Sequence, residues 1–338
     1  MRITMLMGGT SSERDVSLAS GVRVTEALRS RGHDVRVVDP ARGPISEEEY
    51  RALLGGRVVQ TIPPSQEELR RVARESLPKL GATLPRQGET DVVFLGLHGG
   101  SGEDGTIQAL LDLAGVPYTG SGHLASGLAL NKDVSKHLFR QAGVATADWL
   151  LAPATADEVG ARLGFPVIVK PSNEGSTVGL SIVRTPGELQ PAIDEASRFD
   201  DEVMIERFIA GRELTVGILG DVALPVGEII PKHEIYDYEC KYTPGMAEER
   251  FPAELTEEET ARIQEQAVAA FRALKLSGYA RIDFRMSDDA TFYCLEANTL
   301  PGMTQTSLIP QAAAAAGIDF PELCDRIVHL ALERHGGD

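Results

Sequence analysis

Cysteine is scarce and scattered in this sequence: three residues in 338, Cys240, Cys294 and Cys324, odd in number and never in C-x-x-C spacing. That excludes a disulfide framework and a zinc cage built on paired cysteines, and it fits a reducing cytoplasm. No stretch approaches the roughly 18 consecutive apolar residues of a membrane span. The apolar opening, Met1 to Met7, meets Gly8-Gly9 too soon to form a secretory h-region. Positive charge is also short, with 33 Lys and Arg against 50 Asp and Glu, a formal net charge of −17. Such a surface repels phosphate backbones and anionic lipid, so neither nucleic acid nor a membrane is an expected partner. An anionic ligand then needs local lysine, arginine, backbone N–H or metal. Three signatures are missing: no G-x-x-x-x-G-K-[ST], no H-E-x-x-H and no G-x-S-x-G occurs, so P-loop, zincin and α/β-hydrolase readings lack their anchors.

The length suits two domains or one large composite. Hydrophobic residues make up 42% and charged residues 25%, ordinary for a globular chain. The run 2–7 reads as a buried strand closed by Gly8-Gly9, followed by a helix over 16–31 stopped by Gly32 and a strand over 34–38. Strand, helix, strand at this spacing is a βαβ unit and predicts a parallel sheet. Further on, the pattern predicts helices over 46–54 and 65–80 with a short strand over 57–62 between them, a strand over 91–97 and a helix over 106–113. The turn-rich stretch Pro117 to Gly122 makes a domain edge. Beyond it come one helix over 123–142, strands over 166–170 and 180–184, a helix over 186–198 and a strand over 202–206. Strands over 213–219 and 222–228, a long helix over 257–274, strands over 279–285 and 291–296, and helices over 307–316 and 321–334 complete the chain. The division expected is 1–120, 121–206 and 207–338.

Four stretches carry chemistry. Lys170 ends a strand that enters the loop Pro171-Ser-Asn-Glu-Gly-Ser-Thr-Val-Gly179, where exposed backbone N–H groups and Ser176 can cover the phosphates of a nucleotide. On its own, this loop is equally a plain hairpin tip. Alternation puts Arg281 and Asp283 on one face of their strand, and Glu296 and Asn298 on one face of the next. If those strands are neighbours, Asp283, Glu296 and Asn298 form an all-oxygen set suited to Mg²⁺ or Mn²⁺, not zinc. Taken singly, each is an ordinary exposed polar residue. Glu13 follows the first strand, where open α/β sheets hold ligands, and could bind an ammonium group; by position alone it is an acid at a helix N-terminus. The stretch from His233 to Tyr242 holds three tyrosines and Lys241, and reads as a lid or as a surface loop. A fifth stretch, Gly100-Ser-Gly-Glu-Asp-Gly105, matches G-x-G-x-x-G, but Glu103 and Asp104 would repel a pyrophosphate and Gly120 stands where a ribose-binding acid belongs.

In their order along the chain these stretches resemble the D-alanine–D-alanine ligases of the ATP-grasp fold. The resemblance rests on Gly8-Gly-Thr-Ser-Ser-Glu-Arg, Leu97-His-Gly with Gly102-Glu-Asp-Gly, and Tyr118-Thr-Gly-Ser-Gly. It continues in Lys170-Pro-Ser with Glu174-Gly-Ser, Tyr236-Asp-Tyr-Glu-Cys-Lys-Tyr, Arg281-Ile-Asp-Phe, and Leu295-Glu-Ala-Asn-Thr with Pro301-Gly-Met-Thr. Residues 41–90 match least. Asn131 stands where the family often has Asp, and Cys240 where Ala is common.

The resemblance implies an α/β composite with an N-terminal Rossmann-like parallel-sheet domain, acting in the cytoplasm. Its reaction joins two D-alanines: the first carboxylate attacks the γ-phosphate of ATP, and the second amine displaces phosphate from the acyl phosphate. The resemblance also assigns roles. Lys132 and Lys170 hold phosphates, with Ser176 and Lys241 over them; Glu206 and the Phe208-Ile209 backbone frame the adenine, and Glu213 takes the ribose. Asp283, Glu296 and Asn298 bind two Mg²⁺ or Mn²⁺ ions. Glu13 grips the first ammonium with His98 close by, Arg281 and the Gly302 N–H stabilise the oxyanion, and Ser307 and the Leu308 backbone receive the second carboxylate. Ser176, Lys241 and Tyr242 link the glycine loop to the lid. A tyrosine at the position of Tyr242 implies an amino acid as second substrate, against sister ligases that use D-lactate or D-serine. A homodimer is implied as well. A protein that senses ATP without chemistry is the reading from another class.

Overall fold

The computed structural model describes residues 1–55, 83–175, 177–236 and 245–336. The strand expected over 57–62 and the helix over 65–80 lie outside these residues, as do Ser176, Lys241 and Tyr242.

In chain order the elements are β1 (Arg2–Leu6), α1 (Arg14–Ser30), β2 (Asp34–Asp39), β3 (Gly43–Pro44), α2 (Glu47–Gly55), β4 (Val92–Leu95) and α3 (Thr106–Ala114). Then come α4 (His123–Leu130), α5 (Lys132–Gln141), β5 (Trp149–Leu151), α6 (Ala156–Arg162), β6 (Val167–Pro171), β7 (Ser181–Val183), α7 (Leu189–Ala196) and β8 (Val203–Arg207). The last stretch holds β9 (Arg212–Leu219), β10 (Val222–Ala223), β11 (Gly227–Pro231), β12 (Ala247–Arg250), α8 (Glu257–Ala273), β13 (Tyr279–Met286), β14 (Phe292–Asn298), α9 (Leu308–Ala315) and α10 (Phe320–Gly336).

Three sheets result. The first runs β3-β2-β1-β4, with β2, β1 and β4 parallel, as the opening βαβ pattern requires. β4 is buried at every position, and β1 at all but its first, because helices cover both faces. α1 packs so tightly on this sheet that a Cβ at Gly21 would lie 2.4 Å from the Met7 sulfur. α9 and α10 return to the same core, burying Ile309, Leu323, Ile327 and Val328 with residues of β1 and β4. The second sheet, β5-β8-β6-β7, and the third, β12-β11-β9-β13-β14 with β10 on β9, are antiparallel throughout. The cleft described below opens between these two. Among the described residues no helix is long and apolar enough to cross a membrane.

Two expectations are corrected. The single helix expected over 123–142 is two, broken at Asn131, whose backbone turns extended and whose side chain accepts from the Val134 N–H as the N-cap of α5. The break puts Lys132 in the first turn of a new helix. The strand expected over 222–228 is also two, β10 and β11, separated at Leu224-Pro225-Val226, where proline has no N–H for a ladder. β3, β5, α6 and β12 are short elements that the sequence pattern does not announce.

Candidate active site

The larger cavity, about 990 Å³, lies between the second and third sheets. In β6 and β8, Ile168 stands opposite Glu206, so Lys170, two residues on, shares the Glu206 face. Lys170 Nζ donates to Glu206 Oε2 at 2.6 Å. A second lysine, Lys136, donates to the other oxygen of Glu206 and, at 2.6 Å, to Thr146 Oγ1; the Thr146 hydroxyl passes on to the Cys294 carbonyl at 2.7 Å. Burial alone would raise the Glu206 carboxyl, but the two ammonium groups hold it down at about 2. Burial lowers Lys136 in turn, opposed by Glu206. The sequence motifs do not single out Lys136. Its signal was there: Lys132, Ser135, Lys136 and Phe139 form the buried stripe of α5, and a lysine at a core position needs a buried acid.

The hairpin expected between two strands is present, since β6 pairs antiparallel with β7. Lys132 Nζ donates to the Glu174 carbonyl of that loop at 2.6 Å and lies 3.2 Å from Glu296 Oε2, which ties α5 to the hairpin and to β14. Phe208, Ile209 and Glu213 line the same cavity, with Arg285 reaching the Ile209 carbonyl at 3.1 Å and Glu213 at 3.2 Å.

β13 and β14 are neighbours, and their register sets Arg281 opposite Asn298 and Asp283 opposite Glu296. Residues directly opposite point to the same side, so all four share one face. A register shift after Asp283 marks a bulge, as is common beside binding sites. Asp283 is the hub. It accepts from Arg281 Nε at 2.9 Å and Nη2 at 2.8 Å, from Thr215 Oγ1 at 2.7 Å and from Asn298 Nδ2 at 2.9 Å. Burial would lower Arg281, but Asp283 beside it raises it. Among the described residues no three His, Cys, Asp or Glu side chains gather at a metal distance. The set here has two carboxylates and one carboxamide, hard oxygen donors that fit Mg²⁺ or Mn²⁺ once the Asn298 amide presents its oxygen. A cation entering there competes with Arg281 for one carboxylate.

A second cavity of about 700 Å³ adjoins the first and is lined by Glu13, His98, Arg281, Asn298, Gly302, Ser307 and Leu308. Glu13 immediately precedes α1. Ser307 precedes α9, and its hydroxyl meets the Thr304 N–H at 2.9 Å. At Gly302 a Cβ would lie 2.7 Å from Ser307 Oγ, so a larger residue there would make the serine side chain turn. Both ring nitrogens of His98 are engaged, Nδ1 with the Leu300 carbonyl at 2.8 Å and Nε2 with Ser20 Oγ at 3.1 Å. Burial lowers its pKa, with Glu13 opposing.

Glu103, set aside in the sequence reading as part of a spurious dinucleotide motif, also lines this cavity and accepts from the Gly99 N–H at 3.0 Å. Burial, and Glu13 next, push its carboxyl up to about 8. The folded state therefore keeps a proton that the unfolded chain releases, and this contribution to stability is full below the ordinary value near 4.5 and is lost as pH rises toward 8. Glu103→Gln, which mimics the protonated acid, is expected to gain in Tm relative to wild type as pH rises from about 5 to about 8.5. Parallel melting profiles across that range would remove the buried proton from Glu103.

The comparisons with known proteins agree along the chain. A family model described as D-ala D-ala ligase N-terminus matches residues 2–121, and one described as D-ala D-ala ligase C-terminus matches residues 137–329. A D-alanine–D-alanine ligase of Geobacter sulfurreducens is 45% identical over 330 residues, covering 97% of this chain and 93% of that protein. That of Syntrophotalea carbinolica is 41% identical over 327 residues, covering 97% and 95%. Among solved structures, the Bacillus anthracis D-alanine–D-alanine ligase complexed with ATP superposes with a TM-score of 0.75 at 32% identity, covering 100% of this chain and 99% of that one. The VanG D-Ala:D-Ser ligase of Enterococcus faecalis gives 0.80 at 29% identity, covering 98% and 99%.

Proposed function

The chain belongs to the D-alanine–D-alanine ligase family, ATP-dependent ligases of cell-wall precursor synthesis with the ATP-grasp fold, and from that premise we propose how its own residues divide the work. Lys132 and Lys170 neutralise the phosphates, and Glu206, Phe208 and Ile209 frame the adenine, with Glu213 at the ribose. Asp283, Glu296 and Asn298 would hold the divalent cations, which would supply charge neutralisation for the transferring phosphoryl group. Glu13 takes the ammonium of the first D-alanine, with His98 behind it. The first carboxylate attacks the γ-phosphate, and the second amine displaces phosphate. Arg281 and the Gly302 N–H stabilise the tetrahedral oxyanion. Ser307 and the Leu308 N–H, at the start of α9, hold the second carboxylate. By the family resemblance, Ser176, Lys241 and Tyr242, outside the described residues, link the glycine loop to the lid.

One observation carries this reading: Arg281 lines both cavities, so a carboxylate held in the smaller one lies beside phosphates held in the larger. We read the chain as units 1–120, 121–206 and 207–338, working in the cytoplasm as a homodimer. Purified protein with ATP, Mg²⁺ and D-alanine is expected to release phosphate, measured across a panel that includes D-serine and D-lactate as second substrates. Release with D-serine or D-lactate in preference to D-alanine would move the assignment to a sister ligase, a reading to which the likeness to a D-Ala:D-Ser ligase gives a footing. ATP binding without release under any acid would leave a nucleotide sensor instead.

A further inference from the structure

Three segments far apart in sequence meet behind the smaller cavity: α1, the loop after β4 and the loop after β14. Ser20 on α1 is 1% exposed and His98 is 5% exposed. His98 Nδ1 lies 2.8 Å from the Leu300 carbonyl, and a carbonyl only accepts, so Nδ1 carries the proton. Nε2 of the neutral ring is then an acceptor, and the Ser20 hydroxyl, at 3.1 Å, donates to it. Ser20 Oγ in turn accepts from the Met303 N–H at 3.1 Å. The relay is closed, with each donor meeting an acceptor, and it admits one arrangement. From the same loop as His98, Glu103 accepts from the Gly99 N–H, and hydrogen bonding from the Leu300 backbone reaches the same carboxyl. Leu300 and Met303 are thus gripped from the N-terminal side of the molecule, and Gly302 lies between them.

We propose that Ser20 and His98 are positioning residues which clamp the 300–303 loop so that the Gly302 N–H is aimed at the oxyanion. The proposal rests on the reading of Gly302 and Arg281 as oxyanion donors given above. The loop needs such a clamp because residues 299–307 form neither helix nor strand, so no ladder fixes their N–H directions. Gly302 has no side chain with which to anchor itself, and Pro301 has no N–H. Two hydrogen bonds to buried groups of the N-terminal part of the chain, Ser20 on α1 and His98 in the loop after β4, supply what local structure does not. A consequence is that the reaction centre is complete only when the first sheet is docked on the third, because the donor sits on one and its brace on the other.

The test uses Ser20→Ala, His98→Asn and His98→Leu in the full-length protein, with Arg281→Ala as reference. Ser20→Ala strips the partner from both the Met303 N–H and His98 Nε2. It is expected to lower kcat by about 10–100-fold while the KM for ATP stays within about twofold, since small misplacements at a reacting centre cost on this scale. The amide N–H of asparagine can stand in for Nδ1–H, so His98→Asn is expected to retain most of the turnover that His98→Leu loses, with the pH profile of kcat unchanged in shape. Ser20→Ala turning over within about twofold of wild type would overturn the clamp, on the same scale. So would His98→Asn falling as far as His98→Leu, or losing one limb of the pH profile, which would make His98 a proton carrier. Should Ser20→Ala not fold, the two His98 variants decide alone. An Arg281→Ala protein altered only in KM would strike the oxyanion reading itself and the clamp with it, a result distinct from failure of the Ser20 and His98 variants beside a kcat-impaired Arg281→Ala.

Discussion

Arg281→Ala is expected to lower kcat on the order of 10²–10³-fold, the usual cost of one oxyanion donor in a site closed to water. The geometry adds a second effect. Arg281 and Asp283 meet through two N–H···O contacts, at 2.9 and 2.8 Å, in the wall shared by the two cavities. Removing the guanidinium leaves Asp283 with Thr215 and Asn298 among the described residues, so its charge is less compensated and more available to a cation. Arg281→Lys keeps the charge but lacks the planar fork, and it should recover little of the lost turnover. Steady-state kinetics with ATP and D-alanine separate the outcomes. A fall in kcat marks a donor acting in the transition state, whereas a rise in KM alone marks ground-state binding. The cycle with Asp283→Asn is expected to be strongly non-additive, because the two side chains share one set of contacts. Additive losses would mean that Arg281 and Asp283 work independently.

Glu206→Ala is expected to be the most destabilising single change in the nucleotide cleft. Glu206 is the shared counter-charge of Lys136 and Lys170, and Lys136 is fully buried. Removing one partner of a buried ion pair costs about 3–5 kcal/mol, because an uncompensated charge stays behind. In a chain of this size that is a fall in Tm on the order of 10 °C. The pH dependence has a definite sign. The Glu206 pKa is depressed to about 2 from an ordinary 4.5, so its contribution is present above 4.5 and is lost as pH falls from there toward 2. Glu206→Gln should therefore be less stable than wild type at neutral pH, with the gap closing in acid. Melting curves from about pH 7 to about pH 3 check this, and a Glu206→Ala protein melting within about 2 °C of wild type would refute the buried triad. The same variants should raise the KM for ATP, since Lys170 would lose the partner that orients it.

Much of this site was legible in the residues. Period-two alternation put Arg281 with Asp283 and Glu296 with Asn298, and the fold had only to make the two strands neighbours. The apolar run, the Gly8-Gly9 turn and the helix after it were enough to predict the parallel sheet. Where local signals competed, the reading failed: Asn131 looked like a helical position inside a long run but is a cap, because its side chain offers the Val134 N–H an acceptor that continuing the helix does not need. Glu103 reads as an intruder in a phosphate loop and is instead a half-buried acid braced by the backbone.

By itself the sequence determined most of the longer elements and which face of the strands at the site is polar, because both are encoded in spacings of two to four residues, while the chemistry those faces serve came from the resemblance of ordered motifs. Only the tertiary structure decided who meets whom across the chain. Lys136 finds Glu206 70 residues on, and Met303 finds Ser20 across 283. Those pairings carry no periodic signature: they arise when burial removes water from a polar group and leaves one partner within reach.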